Sequence, residues 1–172
     1  GTDNLGRDLL SRLIYGSRVS LAVGVFSVCI SLLIGVPLGA LAGYAGRWID
    51  SLIMRFMDLL LAFPSILLAI AIVTVLGNDL KNAMIAVGVV GIPVFARITR
   101  ASVLTVKELE YVQAARTIGC SPARILTVHI LPNCANPLIV QATLSLGTSV
   151  LDAAGLSFLG LGARPPTPEW GT

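Results

Sequence analysis

Residues 19–46 read VSLAVGVFSVCISLLIGVPLGALAGYAG, and these 28 consecutive residues without a formal charge decide the fold class. A helix of about 20 apolar residues crosses the roughly 30 Å hydrocarbon core of a bilayer. Hydrocarbon offers the backbone no hydrogen-bond partner, so a spanning segment is either a helix or a strand of a closed barrel. The apolar residues here are continuous, whereas barrel strands alternate apolar and polar residues. The stretch is therefore predicted to be a transmembrane helix.

Three further uncharged runs repeat this pattern. They contain 20, 15 and 27 residues and lie at 59–78, 82–96 and 125–151. The shortest run continues past Arg97 and Arg100, whose long side chains can reach the membrane surface while their stems stay in lipid. Charged residues make up 12% of the chain, about half the share found in soluble domains. The sequence therefore predicts an all-α membrane protein, a multi-span helical bundle with four spans at about 19–44, 52–77, 82–104 and 134–160.

The spans divide the chain into five segments. We predict a periplasmic and interfacial lead-in at 1–18, three transmembrane helices within 19–104, a cytoplasmic loop at 105–133, a fourth transmembrane helix at 134–160 and a periplasmic loop at 161–172. Seven Lys and Arg residues lie on the side of the long loop and five on the side of the termini, so the positive-inside rule favours a cytoplasmic loop. The first residues show neither an initiator methionine nor a signal-peptide pattern, and we expect a longer intact protein.

The long loop is predicted to form two helices around a glycine turn. Apolar residues recur at helical spacing over 106–118, and Gly119 follows where a helix needs a left-handed closing residue. Ser121 then offers an N-cap hydroxyl to a second helix, with Pro122 at its first position and Pro132 at its end. The pattern predicts a compact helical pair between two spans.

DNA-binding helix-turn-helix units share part of this spacing, with small, glycine and apolar residues where this chain has Ala115, Gly119 and Ile125. Only two strong charges, Arg116 and Arg124, lie between residues 111 and 130. A span also begins within a few residues of the second helix, which leaves little room to enter a groove. We therefore expect no nucleic acid among the partners.

The loop resembles the EAA loop of ABC importer permeases, in which Glu-Ala-Ala, three residues, Gly, nine residues and Ile-x-Leu-Pro form a coupling helix that docks on an ATP-binding subunit. This chain reads QAARTIG at 113–119 and HILP at 129–132, so that Gln113 replaces the Glu and His129 replaces the Ile. The first replacement puts any Glu-dependent salt bridge to the ATPase in doubt. The resemblance implies an ATPase-coupling role for Gln113, Ala114, Ala115, Gly119, Ser121, Arg124, Leu131 and Pro132.

Five other motifs are similar to those of the C-type permease subunit of dipeptide and oligopeptide importers, in the wider peptide/nickel family. They are GTDxxGRD at 1–8, YGSRVSL at 15–21, AGY at 42–44, SFLG at 157–160 and PPTPxWG at 165–171. The resemblance implies six spans in the intact subunit, a multi-pass position in the bacterial inner membrane and periplasmic termini for this chain. It also implies membrane lipid, a second permease subunit, two ATP-binding subunits, a periplasmic solute-binding protein and a peptide substrate as partners.

The expected function is that of a transmembrane permease subunit in an ATP-driven importer of dipeptides or oligopeptides. The chain has no Gly-x-x-x-x-Gly-Lys-Ser/Thr phosphate loop, so we expect no catalytic residues, and ATP would be bound by the partner subunits. Its three cysteines lack metal-ligand spacing, and no metal or other cofactor is expected. The alternatives are import of nickel or another small solute, and a secondary transporter, whose coupling charges would lie at mid-membrane.

Three features within the spans have two interpretations each. Arg55 and Asp58 lie three residues apart and form a local ion pair or an interfacial anchor. Asp152 follows 27 residues without a formal charge after Arg124, and either lines the translocation path or pairs with a basic residue of a partner subunit. The stripe of glycines at 35, 39 and 43 packs against a helix of a partner or within this chain.

Overall fold

A computed structural model describes residues 1–2, 7–162 and 168–171, and all regular elements of these residues are helices. The motifs predicted at 1–8 and 165–171 lie partly outside the described residues. The elements are α1 Leu9–Ala45, α2 Arg47–Leu61, α3 Ser65–Leu76, α4 Leu80–Val106, α5 Glu110–Thr117, α6 Pro122–Arg124, a π-helical segment Ile125–Ile130, a 3₁₀ segment Leu131–Cys134 and α7 Ala135–Phe158.

The helix α1 is longer than the span predicted at 19–44. Asp8 caps its first turn, with Oδ2 accepting hydrogen bonds from the Ser11 hydroxyl at 2.6 Å and the Ser11 amide at 3.2 Å. These two bonds hold the pKa of the Asp8 carboxyl below its usual value, and the bond from the Ser11 hydroxyl has the larger effect. The stretch at 9–18 that we assigned to the membrane surface is therefore continuous with the first span.

The span predicted at 52–77 is divided into α2 and α3, which are bent by 91° at the break between them. The break occurs at Pro64, which lacks a backbone N–H and disfavours helical backbone in the residue before it. Pro64 has φ −54° and ψ 132° and precedes α3, where it accepts the Leu68 amide at 3.0 Å. One straight helix over 52–77 is thus replaced by two shorter ones.

The helix predicted to end at Pro132 continues instead. Residues Pro122–Phe158 form one continuous helical run of 37 residues. The π-helical segment precedes Pro132, and the 3₁₀ segment contains it. Changes of pitch of this kind compensate for the backbone hydrogen bond that proline cannot donate, so the helix continues past Pro132. Three described helical runs, α1, α4 and Pro122–Phe158, are long and apolar enough to cross a membrane, and the bent pair α2–α3 counts as a fourth if it forms one span.

The described residues divide into two compact units. The first contains 1–30, 63–91 and 144–172, and the second contains 31–62 and 92–143. The first unit has a buried apolar cluster that joins α3, α4 and α7, and its members are Ala69, Val73, Ala83, Ala86, Val87 and Leu156. The second unit has its own cluster, which joins α1, α4 and the long loop and is described below.

The glycine stripe of α1 packs on α4 inside the second unit. A Cβ atom placed on Gly35 would lie 2.8 Å from the Ile92 carbonyl oxygen, and one on Gly43 would lie 2.9 Å from the Arg100 carbonyl oxygen. A Cβ atom on Gly39 would overlap the Ala96 carbonyl oxygen. The two helix backbones approach this closely because the stripe carries no side chains. Of the two interpretations of the stripe, packing within the chain is confirmed.

Candidate functional site

The helix α5 ends in the glycine turn that the sequence predicts. Gly119 has φ +81°, a left-handed conformation that is costly for residues with a Cβ atom. Its amide donates to the Arg116 carbonyl at 3.0 Å, and the Cys120 amide donates to the Ala115 carbonyl at 3.1 Å. These two bonds form a Schellman motif. A Cβ atom on Gly119 would meet nothing within 4 Å, so the glycine is required for its backbone conformation rather than for space.

The second helix of the loop starts with the predicted cap. The Ser121 hydroxyl accepts the Arg124 amide at 3.4 Å, and Pro122 occupies the first turn. Arg124 itself is exposed in the last turn of the short helix α6. The two helices are thus separated by four residues, Ile118 to Ser121, which end one helix and start the next.

One face of this helical pair is buried against its own unit. Val112, Ala115, Ile125 and Ile130 lie in an apolar cluster with Ala40, Val103, Val106 and Cys134, and Leu131 packs against the cluster partly buried. Ala115 is 6% exposed and Val112 is fully buried. Burial of this size is the main stabilising contribution available to so short a helix, since eight residues alone are too few to be stable. The cluster therefore holds the loop in place.

The opposite face is open. Gln113, Ala114, Gly119, Ser121, Arg124 and Pro132 are exposed. Ile118, at the end of α5, is 80% exposed, which is unusual for an isoleucine that has an adjacent core to join. The structure thus separates the candidate coupling residues into an exposed group and two that point inward, Ala115 and Leu131. Ala115 is buried, so its methyl group contributes to the core and not to an exposed surface, and its ATPase-coupling role stays a prediction.

Three side-chain hydrogen bonds fasten the loop at its ends. The Lys107 Nζ donates to the Gly43 carbonyl at 3.1 Å, where α1 nears its end. The Tyr111 hydroxyl donates to the His129 carbonyl at 3.3 Å, and the Asn133 amide group donates to the same carbonyl at 2.8 Å. His129 therefore contributes through its backbone at the point where the helix changes pitch. Sequence reasoning missed both Lys107 and Tyr111, since neither interacts with a neighbour in the sequence.

Two ion pairs join α2 to α4 in the same unit. Arg100 forms a bidentate pair with Asp50, at 2.5 Å from Nε to Oδ1 and 2.6 Å from Nη2 to Oδ2. Arg97 contacts Asp58 at 2.5 Å. Asp58 is thus paired with Arg97 of α4 and not with Arg55, as the spacing of three residues had suggested. An acid within or just before one predicted span and a base within the next is the only signal that the sequence contains for such pairs.

We expect Arg100→Met to destabilise the subunit, because it leaves the carboxylate of Asp50, of which only 18% is exposed, without its partner. A loss of about 1–3 kcal/mol corresponds to removal of one partner of such a pair. The midpoint of thermal aggregation in detergent would report the loss. Arg97→Met serves as the matched control, because both side chains of its pair are more than half exposed and the effect should be under about 1 kcal/mol. Equal effects of the two substitutions would contradict this difference.

Asp152 lies in α7 within the first unit and is partly buried. Among the described residues no basic group lies within ion-pair distance of its carboxylate. Gly147, on the same helix, is exposed, and a Cβ atom there would meet nothing within 4 Å. Both interpretations of Asp152, path lining and pairing with a partner subunit, stay predictions. The described residues contain no group of His, Cys, Asp and Glu side chains that could hold a metal ion.

The helical architecture and the helical pair in the long loop agree with the protein family that the sequence matches. A family model described as "Binding-protein-dependent transport system inner membrane component" matches residues 35–172. The chain belongs to this family. It is a multi-pass membrane protein of the class that the description assigns to the inner membrane. The family comprises transport components, in agreement with the permease resemblance found from the EAA-type loop.

Several curated relatives match nearly the whole chain. It is 55% identical over 171 residues to the dipeptide transport system permease protein DppC of Alkalihalophilus pseudofirmus, covering 99% of this chain and 56% of the relative. It is 56% identical to the di/tripeptide transport system permease protein DppC of Pseudomonas aeruginosa, covering 100% of this chain and 57% of the relative. It is 49% identical to the glutathione transport system permease protein GsiD of Pectobacterium atrosepticum, covering 99% and 57%. The chain thus spans somewhat more than half the length of these permeases.

The fold has been observed before. The inward-facing MetNI methionine ABC transporter contains a chain that matches with a TM-score of 0.78 at 22% identity, covering 90% of this chain and 77% of that one. At this identity the likeness concerns the fold alone. It confirms the all-helical architecture expected from the uncharged runs.

Proposed function

We propose that this chain forms part of the membrane-spanning permease subunit of an ATP-driven importer of dipeptides or short oligopeptides. The observation that carries the proposal is the 55–56% identity, over almost the whole chain, to two permeases named for dipeptide and di/tripeptide transport. A third relative is named for glutathione, which is itself a tripeptide. These names favour a peptide cargo over nickel or another small solute.

The proposed partners follow from the family and from the loop. The family description ties transport to a binding protein, and we propose that this protein delivers the peptide on the periplasmic side. The helical pair at 110–130 is proposed to be the cytoplasmic contact for an ATP-binding subunit, with a second permease subunit and a second ATPase completing the importer. Its exposed residues, Gln113, Ala114 and Ile118 among them, are the surface available for that contact.

The buried face of the helical pair supports a coupling role, because it joins the loop to α4. A loop that transmits force must be joined rigidly to the helices that it moves. Here Val112 and Ala115 of α5 share one buried apolar cluster with Val103 and Val106 of α4. Displacement of α5 by an ATPase would therefore displace α4, because packed interiors are not continuously deformable. This is the step in alternating access that we assign to the chain.

The proposal is tested by uptake in a strain that lacks the subunit. The full-length gene should restore ATP-dependent accumulation of a labelled dipeptide, and unlabelled di- and tripeptides should compete while nickel should not. Accumulation that follows the proton gradient and survives depletion of ATP would instead identify a secondary transporter. Competition by nickel alone would overturn the peptide cargo.

The orientation is tested with a cysteine at Glu110, which is exposed at the start of α5. In a background free of native cysteines, a membrane-impermeant maleimide should label this position only after the cells are permeabilised. Labelling from outside intact spheroplasts would contradict the cytoplasmic assignment of the loop. Since this measurement needs no transport, it separates an error of orientation from an error of cargo.

A further inference from the structure

The surface of α2 is divided lengthwise into three sectors. At about 100° per residue, one sector faces its own unit and contains the buried Met57 together with the partly buried Ile53 and Asp50. A second sector is exposed and apolar. This apolar strip consists of Trp48, Leu52, Phe56 and Leu59, which are 71%, 62%, 57% and 60% exposed. The third is an exposed polar strip, which consists of Arg47, Ser51, Arg55 and Asp58.

The ion pairs show the direction of α2. Asp50 and Asp58 are eight residues apart, or about 12 Å along α2 at 1.5 Å per residue. Their partners Arg100 and Arg97 are three residues apart, or about 4.5 Å along α4. Two parallel helices would pair at similar spacings. The long arginine side chains bridge part of this difference, and an inclination of α2 to α4, one of the helices able to cross the membrane, accounts for the rest.

The polar strip is incompatible with a position across the bilayer. It extends over 11 residue steps, from Arg47 to Asp58, or about 16 Å, which is half of the hydrocarbon thickness. An arginine at the bilayer centre costs at least about 2.5–3.5 kcal/mol on insertion scales, and both arginines of the strip are exposed. If α2 lies along the membrane surface, the whole strip faces headgroups and water at once. The apolar strip then faces the acyl chains along its full length.

We propose that α2 is an interfacial helix that binds the phospholipid surface of the inner membrane, with its apolar strip inserted among the acyl chains and Arg47 and Arg55 against lipid phosphates. A helix with Trp, Phe and Leu on one face and Arg on the adjoining face has the composition of such elements. An open cavity of about 390 Å³ is lined by Asp50, Ser51, Met54, Arg55, Asp58 and Arg100. Arg55 stands on its wall outside both ion pairs and provides a cation for a phosphate that enters the cavity.

The ion pairs then connect the lipid contact to the rest of the unit. Asp50 and Asp58 fasten the surface helix to Arg100 and Arg97 of α4, the helix on which the long loop packs. A leaflet that holds α2 in place thus provides a fixed support against which the loop and α4 are positioned. This proposal needs only a membrane location and does not rest on transport or on the identity of the cargo.

A spin-label scan of α2 tests the proposal. The full-length subunit, with Cys29 and Cys120 replaced and the buried Cys134 retained, is labelled at one position at a time from 47 to 61. It is reconstituted in vesicles of phosphatidylethanolamine and phosphatidylglycerol. Oxygen, which concentrates in lipid, and a water-soluble nickel chelate then report the depth of each label. We expect the apolar strip to be reached by oxygen, and positions 47, 51 and 55 to be reached by the chelate.

The decisive quantity is the change of depth along the strip. An interfacial α2 gives depths at 48, 52, 56 and 59 that agree within about 5 Å, whereas a crossing helix gives a steady change of about 16 Å over the same 11 steps. Labels at Val25, Leu33 and Leu41, which are exposed on α1, serve as the control and should differ by about 24 Å from first to last. A steady gradient on α2 overturns the proposal. Exclusion of both reagents from the apolar strip also overturns it, because a protein partner would then cover this face.

A measurement without spin labels controls for the case in which a label disturbs the helix. With all other tryptophans, Trp170 included, replaced by phenylalanine, the fluorescence of Trp48 should be quenched more strongly by lipids brominated near the headgroup than by lipids brominated near the chain ends. The reverse order would contradict the shallow position of α2.

Discussion

Gly39→Leu is expected to prevent the subunit from reaching its native helix packing. A Cβ atom at this position would overlap the Ala96 carbonyl oxygen and lie 2.8 Å from the Thr99 Cβ. The obstacle is backbone, which cannot rotate away, so α1 and α4 must separate. Overpacking of a well-packed interior costs about 1–3 kcal/mol when side chains can adjust, and we expect more here because backbone must move. We predict loss of monodisperse protein in detergent and rapid degradation in the membrane.

Gly147→Leu is the matched control, because it adds the same atoms to a glycine in another helix. Gly147 is exposed, and a Cβ atom there meets nothing within 4 Å. The leucine should therefore leave the thermal stability of the isolated subunit within about 0.5 kcal/mol of the parent, as for ordinary surface substitutions. Comparable loss of stability in the two variants would show that the α1–α4 contact is not the cause.

Ala115→Arg should destabilise the subunit, whereas Ala114→Arg should leave it folded and abolish coupling. Ala115 is 6% exposed and packed among Val112, Ile125 and Val103, so an arginine there brings an unpaired charge into an apolar cluster. The expected cost is at least about 3 kcal/mol, which places this change among the severe class of substitutions. The adjacent Ala114 is exposed, and its replacement adds charge only to the surface proposed for the ATPase.

Stability and transport must be measured separately for this pair. Thermal aggregation in detergent should show a loss for Ala115→Arg only, and dipeptide uptake by the full-length subunit should fall at least about tenfold for both. Normal uptake by a folded Ala114→Arg variant would remove Ala114 from the coupling surface. An Ala115→Arg variant of parental stability would contradict the buried position on which the face assignment depends.

The candidate loop could be predicted from the sequence to the level of individual turns. The closing role of Gly119 and the capping role of Ser121 are both confirmed by hydrogen bonds, since each depends on backbone chemistry within a few residues. The direction in which the helices face could not be predicted. Ala114 and Ala115 are identical residues in one motif. The positions of Val103 and Val106 on the preceding helix, and of Ala40 on α1, decide which of them is buried.

The sequence by itself determined the fold class, because backbone hydrogen bonding in hydrocarbon permits few structures and uncharged runs of 20 or more residues satisfy only one of them. It also determined the family, through motifs that extend along the whole chain. Only the tertiary structure decided that Asp58 pairs with Arg97 rather than with Arg55, that the glycine stripe packs on α4 and that α2 has an exposed apolar strip. The physical reason is the distance along the sequence over which each interaction acts. Caps, breaks and helix formation depend on neighbours within about one turn, whereas pairing and burial depend on which distant helix the folded chain brings alongside.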